Sequence, residues 1–329
     1  MITSSRCSLF DNEGFTSILP FNQGNPLKNG VFSDHAEIAL KVDNRVMNVW
    51  NISNPEYHCY FEYGDNPPFH HTDLFVNKPF VDEVMDKGLQ DKTNDQINTI
   101  ATRFVKGEVS IQIIVEGFDS FYKDLNDKIQ ELGSDNFQII RNTDLKGNIT
   151  GILVDTSKFS ILTKGVSYVK YNEIEDSDNK KEMRNPFVHI KDKSSGKSMV
   201  VVGVHVSGCG SQYPKSGLKT LMEIIEQIYE LNLGKSDVIA AGDFNTPPMN
   251  ARESIIETMK HQAILLNAPY PTHANPKSQA ANYDQVVIVQ ADTTIKYEML
   301  QAPEVSVASQ NLIKSIEQSR EKYLRDTIC

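Results

Sequence analysis

Hydrophobic and polar positions along the chain alternate with period two in several places, and with period near 3.6 in a few. From Ala36 the residues Ala36, Ile38, Leu40 and Val42 fall on alternate positions. Asp43-Asn44 follows, and then a second apolar run ends at Trp50. This pattern predicts a two-strand hairpin. Residues 53–80 hold three histidines, a Pro67-Pro68 pair and many aromatics without a regular period, and predict a long loop. A polar helix is expected over 79–104, then a strand from Val109 to Val115 that ends at Glu116. A helix over Ser120–Leu132 would bury Phe121, Leu125, Ile129 and Leu132. Strands are predicted at 137–140, 151–154, 159–162, 187–190 and 199–205, with a charged, solvated excursion over Tyr171–Arg184. Further on, the pattern gives a helix over 218–231, a buried strand over 238–241, a helix near 251–259, a strand over 285–289 and a polar helix near 309–325. Residues 1–30 lack periodicity and read as an irregular lead-in.

Composition narrows the class of protein. At 329 residues, 39% hydrophobic and 23% charged, the chain suits a globular protein with a large core, and excludes collagen, coiled coil and wholesale disorder. The net charge of -10 supplies no general attraction for nucleic acid or anionic membrane, so a polyanionic substrate would need a metal ion or a local basic pocket. Cys7, Cys59, Cys209 and Cys329 have no zinc-like spacing, which suits reduced thiols. No transmembrane run or Sec signal is evident, and a soluble or cytoplasmic location is expected, with other export routes left open.

The chemistry-bearing positions share a location, the end of an apolar strand. VIAAGDFNTPP brings Asp243 and Asn245 to a sheet edge, where alternation would aim both side chains the same way. A carboxylate there can deprotonate a water while an amide holds a phosphate oxygen, although a capped strand end fits the same residues equally well. VVVGVHVSG carries His205, NVWNIS carries Asn51 and IIVEGFDS carries Glu116. ANYDQVVIV places Asp284, and FSDHAEIAL places Asp34 and His35, just before strands. Each alone fits a loop anchor or a satisfied core residue. The set is dominated by oxygen donors, which favour magnesium or manganese over zinc, and no P-loop, GxSxG or GxGxxG pattern competes with it.

Together these segments resemble the endonuclease/exonuclease/phosphatase (DNase I-like) superfamily. The resemblance runs from Ser33 to about Val289: WNI at 50–52, VEGFDS at 115–120, VHV at 204–206, GDFN at 242–245 and YDQVV at 283–287. The family usually ends with an SDH strand, which here stands at the other end of the chain, at Ser33-Asp34-His35. In the family that strand lies beside the first one, so a join through Asp43-Asn44 implies a circular permutation within a single domain over 31–329. Glu37 and Val115 depart from the family pattern without removing a reacting group.

The implied fold is an α/β four-layer sandwich, two packed, mainly antiparallel β-sheets flanked by helices. The implied activity is Mg2+- or Mn2+-dependent phosphoester hydrolysis by an Asp-activated water. In that scheme Glu116 and Asn51 hold the metal, with Asp34 assisting directly or through water. Asp243 activates the water that Asn245 fixes, His205 donates to a nonbridging oxygen, and His35, oriented by Asp284, stabilises the transition state or the leaving group.

The substrate would carry phosphate, as nucleic acid, nucleotide or phospholipid head group, with a nuclease-type substrate ahead of a phosphoinositide. A noncatalytic binding module on the same fold is the other class. The aromatic loop over 53–80 could stack on bases, dip into lipid or simply pack. Lys180, Lys181, Arg184, Lys191, Lys193 and Lys197 read as a solvated hairpin face, and His273 and Lys277 as possible borders of the pocket.

Overall fold

Two six-stranded sheets pack face to face, and their inner side chains interdigitate to form the central core. The computed structural model describes residues 35, 37–52, 93–143, 149–169, 182–206, 214–232, 234–268, 272, 282–291 and 294–300. The first sheet contains β1 (Ile38–Val42), β2 (Arg45–Asn51), β3 (Ile111–Gly117), β4 (Phe137–Arg141), β5 (Ile149–Asp155) and β12 (Tyr297–Met299), in the order β12-β1-β2-β3-β5-β4. The second contains β6 (Phe159–Val169), β7 (Glu182–Asp192), β8 (Ser198–His205), β9 (Asp237–Asp243), β10 (Ala263–Asn267) and β11 (Asp284–Val289), in the order β10-β11-β9-β8-β7-β6. Each sheet has one parallel pair, β2 with β3 and β8 with β9, and its other pairs are antiparallel.

The inter-sheet core draws Ile38, Leu40, Val49, Ile113 and Ile152 from one sheet and Val188, Val201, Ile239 and Val286 from the other. The outer face of the first sheet is covered by helix α1 (93–105) and α2 (Asp119–Glu131), through Ile97, Phe104, Phe121 and Leu125. The outer face of the second is covered by α3 (Pro214–Leu231) and α4 (Pro248–Thr258), through Leu221, Ile225 and Ile255. This is the α/β sandwich that the family resemblance implied. Strands β8, β9 and β11 read as continuous β-branched and Ala runs because both faces of each are buried.

Several boundaries differ from expectation for identifiable reasons. Leu132 lies one residue past α2 and Leu231 ends α3, so both are exposed rather than buried on the helix face. Tyr122, which falls outside the predicted stripe, is buried in their place. The charged excursion ends sooner than its composition suggests, since Glu182–Arg184 already belong to β7. β10 and β12 are additional edge strands. The lead-in over 1–30, Asp34, the loop over 53–80, the first part of the 79–104 helix, residues 170–181, His273, Lys277 and the helix near 309–325 lie outside the described residues. No described helix is long and apolar enough to cross a membrane.

Candidate active site

Strand pairing alone brings most of the chosen side chains to one end of the sandwich. Asp243 is paired with His205 across the parallel β8/β9 ladder, and with Asp284 across the antiparallel β9/β11 ladder. A close approach makes this possible at Gly242, which takes φ 151. A Cβ there would lie 2.0 Å from the carbonyl oxygen of Val204, so only glycine fits. On the facing sheet, Asn51 pairs with Val115 at the end of the parallel β2/β3 ladder, one residue before Glu116.

Glu116 is turned by a local irregularity. It adopts φ 59, and the β3/β5 register shifts between Ile114 and Gly117. The ring of Tyr122 lies beneath this bulge, in space that Cβ atoms at Gly117 and Gly151 would invade at 2.5 and 2.6 Å. Its hydroxyl sits 2.9 Å from the Ile149 carbonyl and 3.2 Å from that of Ile114, donating to one at a time. A buried tyrosine from α2 thus braces the strand end that presents Glu116, a contact that α2 periodicity gave no reason to expect.

His35 is the most distant contributor in sequence. Its Nδ1 lies 2.7 Å from Asp284 Oδ2, across 249 positions of chain, and its Nε2 is 3.6 Å from Asp243 Oδ2. Glu37, two residues on, is fastened to α1 and β2. It accepts from Arg103 Nη1 at 2.5 Å and from Asn48 Nδ2 at 2.9 Å. Desolvation pushes the Glu37 carboxyl above its usual range, opposed chiefly by the Arg103 charge.

Asp243 is the hub. Its Oδ2 accepts from Asn51 Nδ2 at 3.1 Å, and its Oδ1 accepts the backbone N–H of Asn245 at 2.7 Å. Asn245 stands beyond β9 with φ 49, and its side-chain amide donates to the Val206 carbonyl at 2.6 Å. Strand alternation therefore does not reach Asn245. The turn after Asp243, rather than a continuing strand, places Asn245. His205 Nε2 is 3.5 Å from Glu116 Oε1, and the His205 N–H donates to Asn185 Oδ1 at 3.1 Å.

Beside Asp284 a polar loop network gave no sequence signal. The Asp284 N–H donates to Thr272 Oγ1 at 2.9 Å, and Gln285 Nε2 donates to the carbonyls of Thr246 and Asn282. These contacts hold the ends of β9 and β11 together.

Three carboxylates, Glu116, Asp243 and Asp284, meet two imidazoles in this largely buried space. Burial pushes the Asp243 carboxyl up to about 8; the charges of Asp284 and Glu116 add to that rise, and His35 and the Asn245 N–H oppose it. Asp284 Oδ1 is buried and has no hydrogen-bond partner among the described residues. Such uncompensated negative charge fits a divalent cation. The ligand atoms of Glu116, His205 and Asp243 lie within 4.8 Å of one another, as do those of His35, Asp243 and Asp284. Of the eight residues chosen from sequence, the structure brings together His35, Asn51, Glu116, His205, Asp243, Asn245 and Asp284; Asp34 is the eighth.

The sandwich is similar to the crystal structure of ANGEL2, a 2′,3′-cyclic phosphatase, with a TM-score of 0.52 and 11% identity over 78% of this chain and 84% of that one. The chain has the endonuclease/exonuclease/phosphatase fold. Other similar structures include an endonuclease/exonuclease/phosphatase family protein from Bacteroides thetaiotaomicron (TM-score 0.47, 14% identity, 77% of this chain and 84% of that one). The human Nocturnin catalytic domain with bound sulfate is another (0.46, 12%, 67% and 82%). No protein-family model matches the sequence, and no curated protein matches it. In the endonuclease/exonuclease/phosphatase fold of this chain, β8, β9 and β11 carry the His205, Asp243 and Asp284 ends, and the facing sheet carries Asn51 and Glu116.

Proposed function

We propose that this chain is a divalent-metal-dependent phosphoester hydrolase whose fold is circularly permuted. The observation that carries the proposal is the 2.7 Å contact of His35 with Asp284, beside Asp243, at a strand-end cluster otherwise drawn from residues 51–284. The β1/β2 hairpin, turning at Asp43-Asn44, supports the permuted connection because it lays the strand after His35 against the strand that ends in Asn51.

Glu116 and Asn51 would hold Mg2+ or Mn2+, which supplies neutralisation of phosphate charge and a more acidic water. Asp34 would assist them, a reading that rests on the sequence. Asp243 accepts the proton of the attacking water, with the Asn51 and Asn245 hydrogen bonds fixing its two oxygens. Asn245 keeps the water's place in line through the turn it forms. His205 donates to a nonbridging phosphate oxygen, its backbone tethered to Asn185. Asp284 holds the Nδ1 side of His35, leaving Nε2 for the developing charge on phosphorus or the leaving oxygen.

Nucleic acid is the favoured substrate class, read from the resemblance together with the 2′,3′-cyclic phosphatase activity stated for the similar ANGEL2 structure. The test is turnover by the purified chain of single-stranded DNA, RNA, RNA ending in a 2′,3′-cyclic phosphate, phosphoinositides and sphingomyelin, with Mg2+, Mn2+ or EDTA. Hydrolysis of a nucleic acid that EDTA abolishes, and that His35→Ala and Asp243→Ala each reduce, is expected. Lipid turnover alone would move the assignment to a phospholipid head group. Binding without turnover would make the chain a noncatalytic module.

A further inference from the structure

A second cluster of metal-ligating side chains lies on the outer face of the second sheet. Glu226 and Glu230 are four residues apart on α3 and so share one helix face. His261 reaches the same face from the turn between α4 and β10. Ligand atoms of the three residues lie within 4.8 Å of one another. The Tyr229 ring packs beside the imidazole at 4.7 Å between centroids.

The state of Glu226 sets this cluster apart from an ordinary surface ion pair. It is 5% exposed, and its Oε2 is buried with no hydrogen-bond partner among the described residues. Its Oε1 is hydrogen-bonded to His261 Nδ1 within the cluster. A buried carboxylate with one oxygen unsatisfied is costly unless a positive charge stands beside it. The Lys260 ammonium lies 3.3 Å from Glu230, and both of those side chains are exposed, at 75% and 47%. Such a pair contributes little and is easily displaced.

We infer that Glu226, Glu230 and His261 form a second cation site, for a borderline divalent ion of the Zn2+ type. One imidazole and two carboxylates are the donor mixture for such an ion, with water completing a tetrahedron, whereas Mg2+ prefers oxygen alone. Metal–ligand bonds of about 2.1 Å at tetrahedral angles need donors about 3.4 Å apart. Rotation of the half-exposed Glu230 and His261 side chains supplies the adjustment. The site is separate from the catalytic cluster: β10 starts opposite Val289, five residues along β11 from Asp284, roughly 16 Å away.

The test uses the full chain, stripped with EDTA, returned to excess Mg2+ and titrated with Zn2+ by equilibrium dialysis, with Co2+ absorption reporting the ligand field. One Zn2+ that Mg2+ does not displace is expected. His261→Gln should abolish that binding, and Glu230→Gln, at an exposed position that does not threaten folding, should weaken it at least tenfold. Glu116→Gln should retain it, so this result stands apart from the fate of the hydrolase proposal. Failure of the parent chain to retain Zn2+, or equal affinity in the His261 and Glu230 variants, would overturn the site.

Discussion

Asp243→Asn should stabilise the metal-free protein, and by more as the pH rises. The carboxyl is 1% exposed and is pushed from 3.8 to about 8, first by burial and then by its acidic neighbours. Between those values the unfolded chain has released a proton that the folded chain still holds. Stability therefore falls as pH rises from about 4 to about 8. The full displacement corresponds to a ceiling of roughly 6 kcal/mol, at 1.36 kcal/mol for each tenfold change in proton affinity. Water entry and rearrangement reduce this, and about 3 kcal/mol is expected to be visible near pH 8 against about 1 kcal/mol at pH 5.

Asparagine reproduces the shape and neutrality of the protonated acid, so its own contribution is flat across this range. Urea unfolding in EDTA at pH 5, 6, 7 and 8 measures the difference between the parent and the variant. The difference reports the ionisation of Asp243 together with its coupling to His35, Asp284 and Glu116, whose charges act on it. Curves that run parallel across the four pH values would refute the reasoning, because they would mean that Asp243 carries its charge without cost.

The cation itself should act in the opposite direction. Millimolar Mg2+ at pH 8 is expected to raise the melting temperature of the parent chain, and Glu116→Gln should erase most of that rise; scanning calorimetry reads both. Tyr122→Phe removes the hydroxyl beneath the Glu116 bulge and the one hydrogen bond that it donates to the Ile149 or Ile114 carbonyl, at a cost of about 1–2 kcal/mol in urea unfolding. Gly242→Ala would drive a methyl to within 2.0 Å of the Val204 carbonyl oxygen, and should cost more than about 3 kcal/mol or prevent folding, seen as loss of soluble protein or of near-ultraviolet dichroism.

The paired strands were legible because burial on both faces writes β-branched runs such as those of β8 and β11 directly into the sequence. Residues at their ends stand out as polar interruptions, and for that reason His205, Asp243 and Asp284 are legible in the sequence. β10 has half-buried residues and lies at a sheet edge, and β12 has three residues only, so neither carries a strong period. Left-handed residues posed a different difficulty. Glu116 and Asn245 have φ 59 and 49, and no pattern of neighbours signals where a non-glycine residue will take that conformation. Asn245 is therefore placed by a turn rather than by the alternation expected of a strand. The Tyr122 brace and the Thr272, Asn282 and Gln285 network were equally silent, since each depends on contacts between distant segments. Cluster Glu226, Glu230 and His261 joins a helix to a remote turn and left no motif at all.

The most direct test is a double-mutant cycle on His35 and Asp284, read as the turnover of bis(4-nitrophenyl) phosphate in Mg2+. If the imidazole and the carboxylate act as one unit, His35→Ala and Asp284→Ala each lower kcat by about 100-fold or more, and the double variant loses little beyond either single change. Losses that multiply in the double variant, or a parent chain that leaves the diester intact, would contradict the account.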